Sequence, residues 1–166
     1  MTDLNKQLTP PSPPHRKLAR LALALLSVAP FGFVDASYLT AEHFLNRIPP
    51  CSIVHGCETV TTSGFSLIFG VPVALLGALY YFAVIIGLVY YFQSKKTIVL
   101  KSVAIFTSVG FAFSLWFVYV QLFLIRAICI WCMFSAFTST LLFILGIWVL
   151  KSQHAYGKGQ SSPKAG

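Results

Sequence analysis

Four long apolar blocks, at residues 18–40, 71–92, 102–125 and 128–150, set what this chain can become. Each reaches the roughly 20 residues that a helix rising 1.5 Å per residue needs to cross a bilayer. Backbone groups inside hydrocarbon must be paired within their own segment, so blocks of this length are helices. The expected fold is an all-α membrane protein, a bundle of four transmembrane helices. Charge agrees with this reading. Only 10% of the residues are charged, against about 25% in soluble domains, too few to clothe a water-facing surface. Residues 1–17, rich in proline (Pro10, Pro11, Pro13, Pro14), read as a disordered cytoplasmic tail, 18–150 as the membrane domain, and 151–166 as a polar cytoplasmic tail.

The net charge of +8 does not point to nucleic acid, because the basic residues lie between the apolar blocks and form no amphipathic face. Lys6, Arg16, Lys17 and Arg20 precede the first block. Lys95, Lys96 and Lys101 lie around the gap between the second and third, and Lys151, Lys158 and Lys164 follow the fourth. Only Arg47 and Arg126 fall on the opposite side. The positive-inside rule then places both termini in the cytoplasm and residues 41–70 outside an inner (plasma) membrane. Arg16 to Arg20 followed by residues 21–26 also resembles a signal peptide with Val34 and Ala36 as a cleavage pair. The apolar stretch runs long for that, and cleavage would leave the cysteines on the same side.

Those cysteines form two pairs, both outside, where disulfides persist. Cys129-Ile-Trp-Cys132 is a C-x-x-C opening the fourth span. Residues three apart share a helix face, and a helix N-terminus stabilises a thiolate, with Arg126 one turn earlier adding positive potential. Cys132 lies about 4.5 Å deeper along the axis. Cys129 is therefore expected at the aqueous rim and Cys132 pointing into the bundle, suited to an acceptor dissolved in the membrane. Cys51-Ser-Ile-Val-His-Gly-Cys57 lies in a loop opened by Pro49-Pro50, and a disulfide there would close a short exposed ring open to a partner's thiolate. Two other readings compete. Both disulfides could staple the outer loops of a non-enzymatic membrane scaffold. A four-cysteine zinc site fits poorly, because the pairs flank separate spans beside lipid, so no metal is expected.

Other polar and aromatic residues are weaker signals. Asp35, near the outer end of the first span, is either functional or simply reaches the headgroups. His43 and His55 face outward, as proton donors near the loop cysteines or as solvated surface groups. Tyr90, Tyr91 and Phe92 read as an interfacial aromatic belt. Trp116 and Tyr119 line a pocket or face lipid. Gly110-x-x-x-Ser114 and Ala74-x-x-x-Ala78 would allow close helix packing.

Together these motifs resemble the vitamin K epoxide reductase (VKOR) family, specifically its bacterial-type members. The resemblance covers most of residues 18–150. It is carried by Asp35-Ala-Ser-Tyr-Leu-Thr40, Cys51 and Cys57, Ser63 six residues after Cys57, Phe69-Gly70-Val71-Pro72-Val73-Ala74-Leu75-Leu76-Gly77, and Cys129/Cys132. It implies a four-helix bundle holding a quinone near the outer face, under an outer-face cap loop at about residues 62–69. The quinone would be menaquinone, ubiquinone or phylloquinone. It also implies a separate thioredoxin-like (DsbA-like) periplasmic partner, since this chain ends in a short polar tail where many members continue into a fused thioredoxin-like domain. By the resemblance, Cys51 takes the partner's attack and Cys57 passes the exchange to Cys129. Cys132 reduces the quinone, Ser63 hydrogen-bonds a quinone carbonyl, and the output is disulfide formation in exported proteins. Two departures matter. Ser66 stands where the animal enzymes carry asparagine, and Ala136 where they carry tyrosine. Both favour plain quinone reduction, with a vitamin K quinone or epoxide reductase using thiols as electron donor as the alternative.

Overall fold

The computed structural model describes residues 13–45, 47, 56–68 and 70–160. Its long helices are α1 (Pro13–Phe44), α3 (Val73–Ser94), α4 (Thr97–Tyr119) and α5 (Ile130–Gln160). A π-helical turn, Val120–Ile125, continues α4. Four segments, Arg16–Phe44, Val73–Ser94, Thr97–Ile125 and Ile130–Ala155, are long and apolar enough to cross a membrane. The chain is thus a multi-pass membrane protein built as an all-α four-helix bundle. The helices form a closed ring in which α1 packs on α3 and α5, and α4 packs on both of those in turn.

The helices overrun the apolar blocks, because polar residues at a membrane surface keep their helical bonds. Helix α4 begins at Thr97, ahead of residue 102, so Lys95 and Lys96 are the whole connection to α3. Lys95 closes α3 in the left-handed region (φ 55°), its N–H donating to the Tyr91 carbonyl at 2.8 Å.

Lipid as solvent is visible in the side chains. On α3, Ala78, Tyr81, Val84, Leu88 and Tyr91 are buried, while Leu79, Phe82, Ile86 and Val89 on the other face are exposed. A helix apolar all round belongs in a membrane. The same periodicity corrects the aromatic belt. Consecutive residues lie about 100° apart on a helix, so Tyr90 is exposed while Tyr91 turns into the core.

Helix α1 buries Leu18, Ala22, Leu25, Ala29, Gly32, Ala36 and Leu39 at alternating spacings of four and three. This is the seam of left-handed packing, and its small residues bring neighbours close. Gly32 takes the closest approach, since a Cβ there would overlap the Tyr81 ring. Tyr81 in turn donates its hydroxyl at 2.8 Å to the Ser135 carbonyl and lies 2.8 Å from Thr138 Oγ1, tying α3 to α5.

Between α1 and α3 lies a small cap. It consists of helix α2 (Gly56–Thr62), a 3₁₀ turn (Gly64–Ser66) and two-residue strands β1 (Leu67–Ile68) and β2 (Val71–Pro72). The strands pair antiparallel, Leu67 opposite Pro72 and Ile68 opposite Val71. Gly70 between them sits at φ 80°, a conformation glycine adopts without strain.

Replacing Gly32 with alanine should therefore push the Tyr81 ring off its seat and lower stability by about 1–3 kcal/mol. Thermal unfolding of the purified protein in detergent measures this.

Candidate functional site

The site is built where α4 turns over into α5. The π-helical turn ends at Arg126, in the left-handed region (φ 54°), whose N–H donates to the Gln121 carbonyl. The Ala127 N–H donates to the same carbonyl at 3.1 Å. This reversal delivers Cys129 to the head of α5. There its carbonyl accepts the first helical bond, from the Met133 N–H at 3.0 Å. The Cys129 N–H donates at 3.1 Å to Oε1 of Gln121, a fully buried side chain.

Cys129 is itself 0% exposed and packs with Cys57 and Val60 of α2 in one buried cluster, flanked by Phe117, Ile125, Trp131 and Cys132. Its expected place at the aqueous rim is therefore wrong. Helical rise alone ranks depth correctly, but α2 folds over the end of the bundle and shuts Cys129 away from water. Cys57 is disulfide-bonded, as foreseen for the loop, but it is buried, so this end of the ring is not exposed. Cys129 and Cys132 are free thiols. Cys51 and His55 lie outside the described residues.

Half-buried Cys132 opens on a cavity of about 710 Å³ with mostly apolar walls. The cap supplies its outer wall through Val60, Ser63 and Leu67. Helices α3 and α4 supply Tyr80, Tyr81, Phe106 and Phe113, and α5 supplies Cys132, Ser135 and Ser139. This size and polarity suit a small organic ligand. Ser63 lines it, with its hydroxyl donating to the Val60 carbonyl at 2.7 Å. Ser66 and Ala136, the two departures from the animal pattern, lie in the same walls. Trp116 lines the cavity while remaining largely exposed, whereas Tyr119 faces outward and stacks on Phe123. Gly110 and Ala74 line it too, so neither motif of small residues serves helix packing alone. His43 stands at the mouth with Glu42 and Arg47.

The electrostatics single out Cys129. A hydrogen bond from the Cys132 thiol, joined by the Cys132 and Trp131 backbone N–H groups, draws the Cys129 thiol down from 9.0 to about 7, against the opposing effect of burial. Helix-start N–H groups act here as the sequence suggests. Arg126 is exposed and not among these groups. Asp35 does not reach the headgroups. It is 4% exposed, with both carboxyl oxygens unpartnered among the described residues. It lies on α1 between Gly32, which packs on Tyr81, and Tyr38, whose ring is 4.9 Å from that of Trp131. Sequence reasoning passed over Gln121. Its signal is faint: one amide in an otherwise apolar run, where an uncompensated polar group would be costly.

Comparison with protein families supplies an independent finding. The model of the "Vitamin K epoxide reductase family" matches residues 23–147, from early in α1 to late in α5. Comparison with individual curated proteins returned no match.

Two outcomes follow from this geometry. In the reduced protein, Cys129 should be a thiol below about pH 7 and a thiolate above it. In Cys132→Ala the largest lowering contact is gone, so the midpoint should climb back towards 9.0. The carbon-13 NMR shift of the Cys129 Cβ across pH, which needs no access to the sulfur, reads both. Gln121→Leu strands the buried Cys129 N–H and should cost about 1–3 kcal/mol of stability, read by thermal unfolding.

Proposed function

Because this chain belongs to the vitamin K epoxide reductase family, whose members are quinone-linked thiol oxidoreductases, we propose that it oxidises a separate thioredoxin-like protein outside an inner membrane and passes the electrons to a membrane quinone. The observation that carries this reading is the order of the sulfurs. Cys57 and Cys129 share one buried cluster, and Cys132 faces the cavity.

The exchanges balance as follows. The partner's thiolate attacks Cys51, and Cys57 leaves as a thiolate. Cys57 attacks Cys129 in the Cys129–Cys132 disulfide and releases Cys132. The partner's second thiolate then attacks its own sulfur bonded to Cys51 and departs as a disulfide. Freed Cys51 attacks Cys57, restoring the outer disulfide and leaving Cys129 and Cys132 reduced. Their oxidation gives two electrons and two protons to the quinone and re-forms the inner disulfide.

Local chemistry supports the division of roles. Thiol–disulfide exchange goes by thiolate attack, and it is faster when the leaving thiol has a low pKa. Cys129, lowered to about 7, suits its departure when Cys51 attacks Cys57. The cap keeps water from Cys129, and the apolar cavity accommodates a quinone headgroup. Ser63, which lines the cavity from the cap, would give its hydroxyl to a quinone carbonyl by releasing the Val60 carbonyl. Alanine and serine at 136 and 66 leave the walls without the phenol and amide of the animal pattern, which favours quinone over epoxide as the oxidant. The basic ends of α1 and α5 converge at Lys17, Arg20 and Lys151. By the positive-inside rule that end is cytoplasmic, which leaves the cap and cysteines on the periplasmic face.

Purified protein, a reduced thioredoxin-like protein and ubiquinone-1 test the relay. Cys132→Ala should abolish quinone reduction while Cys51 still forms a mixed disulfide with the partner, seen on non-reducing gels. Cys51→Ala should stop oxidation of the protein partner while a small dithiol still reaches the inner pair. Wild-type partner oxidation by Cys51→Ala would refute the assignment.

A further inference from the structure

Five described residues carry buried polar side-chain atoms with no hydrogen-bond partner among the described residues. Those on Asp35, Gln121 and Trp131 lie outside the cavity lining. The other two, Tyr80 Oη and Ser139 Oγ, belong to residues that line it. Unpaired buried hydroxyls are costly and rare, and call for a ligand or other partner.

Ser139 is 1% exposed. A serine or threonine inside a helix commonly bonds a carbonyl three or four residues back. Thr107, Thr138 and Thr140 each do so, at 2.7–2.9 Å. Ser139, between two of them, does not. Tyr80 is its neighbour across α3 and α5, near enough for the two hydroxyls to interact with each other, though not in the geometry of a full hydrogen bond. The Tyr80 phenol is also held in place. Its ring is 5.0 Å from that of Tyr81 and 5.4 Å from that of Phe106. Its hydroxyl end rests over Gly110, where any Cβ would overlap it. A rigid donor and an uncommitted one thus meet in the same wall.

We propose that Tyr80 Oη and Ser139 Oγ bind the quinone oxygen farther from Cys132, at the inner end of the cavity. This assignment rests on the quinone reading of the cavity and adds to it the pose of the ring. Ser139 follows Cys132 by two turns on the same face of α5, about 10 Å along the axis. A sulfur–ring contact of about 3.6 Å and an O–H···O bond of about 2.8 Å leave room for one six-membered ring and its far oxygen. A carbonyl oxygen has two lone pairs, one for each hydroxyl. The ligand class is a ring with oxygens on opposite edges, one near the cap and one at this pair.

The test uses the full-length protein with dithiothreitol as electron source and ubiquinone-1 as probe, comparing wild type with Tyr80→Phe, Ser139→Ala and the double variant. Each single change should raise KM for ubiquinone-1 about five- to tenfold, with a smaller effect on kcat. The double variant should fall short of the product of the two, because both hydroxyls serve one oxygen. Without quinone, the unfolding midpoints should stay close to wild type, since only the weak mutual contact of the two hydroxyls is lost. The rise in midpoint on adding ubiquinone-1 should shrink. In the infrared, the downshifted stretch of one carbonyl of bound quinone should return towards its unbound frequency. Single variants with KM and quinone-induced stabilisation within twofold of wild type, as when the hydroxyls hold only water, would overturn the assignment. That result beside an active wild type defeats this inference alone, whereas a wild type inert towards ubiquinone-1 defeats the functional reading beneath it.

Discussion

Hydrocarbon offers no water to a stray polar group, and that constraint organises this protein. It forces the backbone into helices and the chain into a ring of four. It also makes the few polar side chains informative. Most are paired within their own helix or across one contact, as Tyr81 is with Ser135 and Thr138. Those left over cluster around one end of the bundle. The Gln121 oxygen accepts from the Cys129 N–H, Asp35 lies one turn before Tyr38, whose ring meets Trp131, and Tyr80 and Ser139 belong to the cavity walls. The exceptions to the rule of pairing outline the site.

Burial of Cys129 follows from the same economy. A thiol exchange that water can enter leaks its intermediates. Here α2 packs Cys57 and Val60 against Cys129, so the two cysteines share one apolar cluster. The abrupt turn at Arg126 and the Gln121 bond fix the Cys129 backbone, while Cys132, its thiol bonded to Cys129, also lines the cavity. The head of α5 therefore borders two environments, the apolar cluster under α2 and the cavity within the bundle. Small residues make this architecture fit. Gly32 admits Tyr81, which bolts α3 to α5 beneath the cysteines, and Gly110 admits the end of Tyr80.

The fold was legible in the sequence because hydrophobic length is a strong signal. The four apolar blocks are the four long helices, extended at their ends. The C-x-x-C at the start of α5 was legible because a three-residue offset on a helix fixes a shared face. What the sequence hid were features set by tertiary contact. Nothing local indicates that α2 covers Cys129, so the rim was inferred from axial depth alone. Asp35 near a span end reads equally well as snorkelling or buried until the packing of α1 on α5 is known. Tyr91 looked like part of a belt because composition, not angular position, was read. Gln121, Tyr80 and Ser139 carried no motif, and their meaning lies in partners gained or lacking.

The central claim is that Cys129 and Cys132 form the redox pair that faces the quinone. The most direct measurement is mass-spectrometric mapping of free thiols in reduced full-length protein before and after adding oxidised quinone without air. The account predicts that thiol labelling disappears at Cys129 and Cys132 together, one quinol forming for each pair lost. Labelling of both residues that is indifferent to quinone would contradict it, and would leave the cysteines as staples of a scaffold.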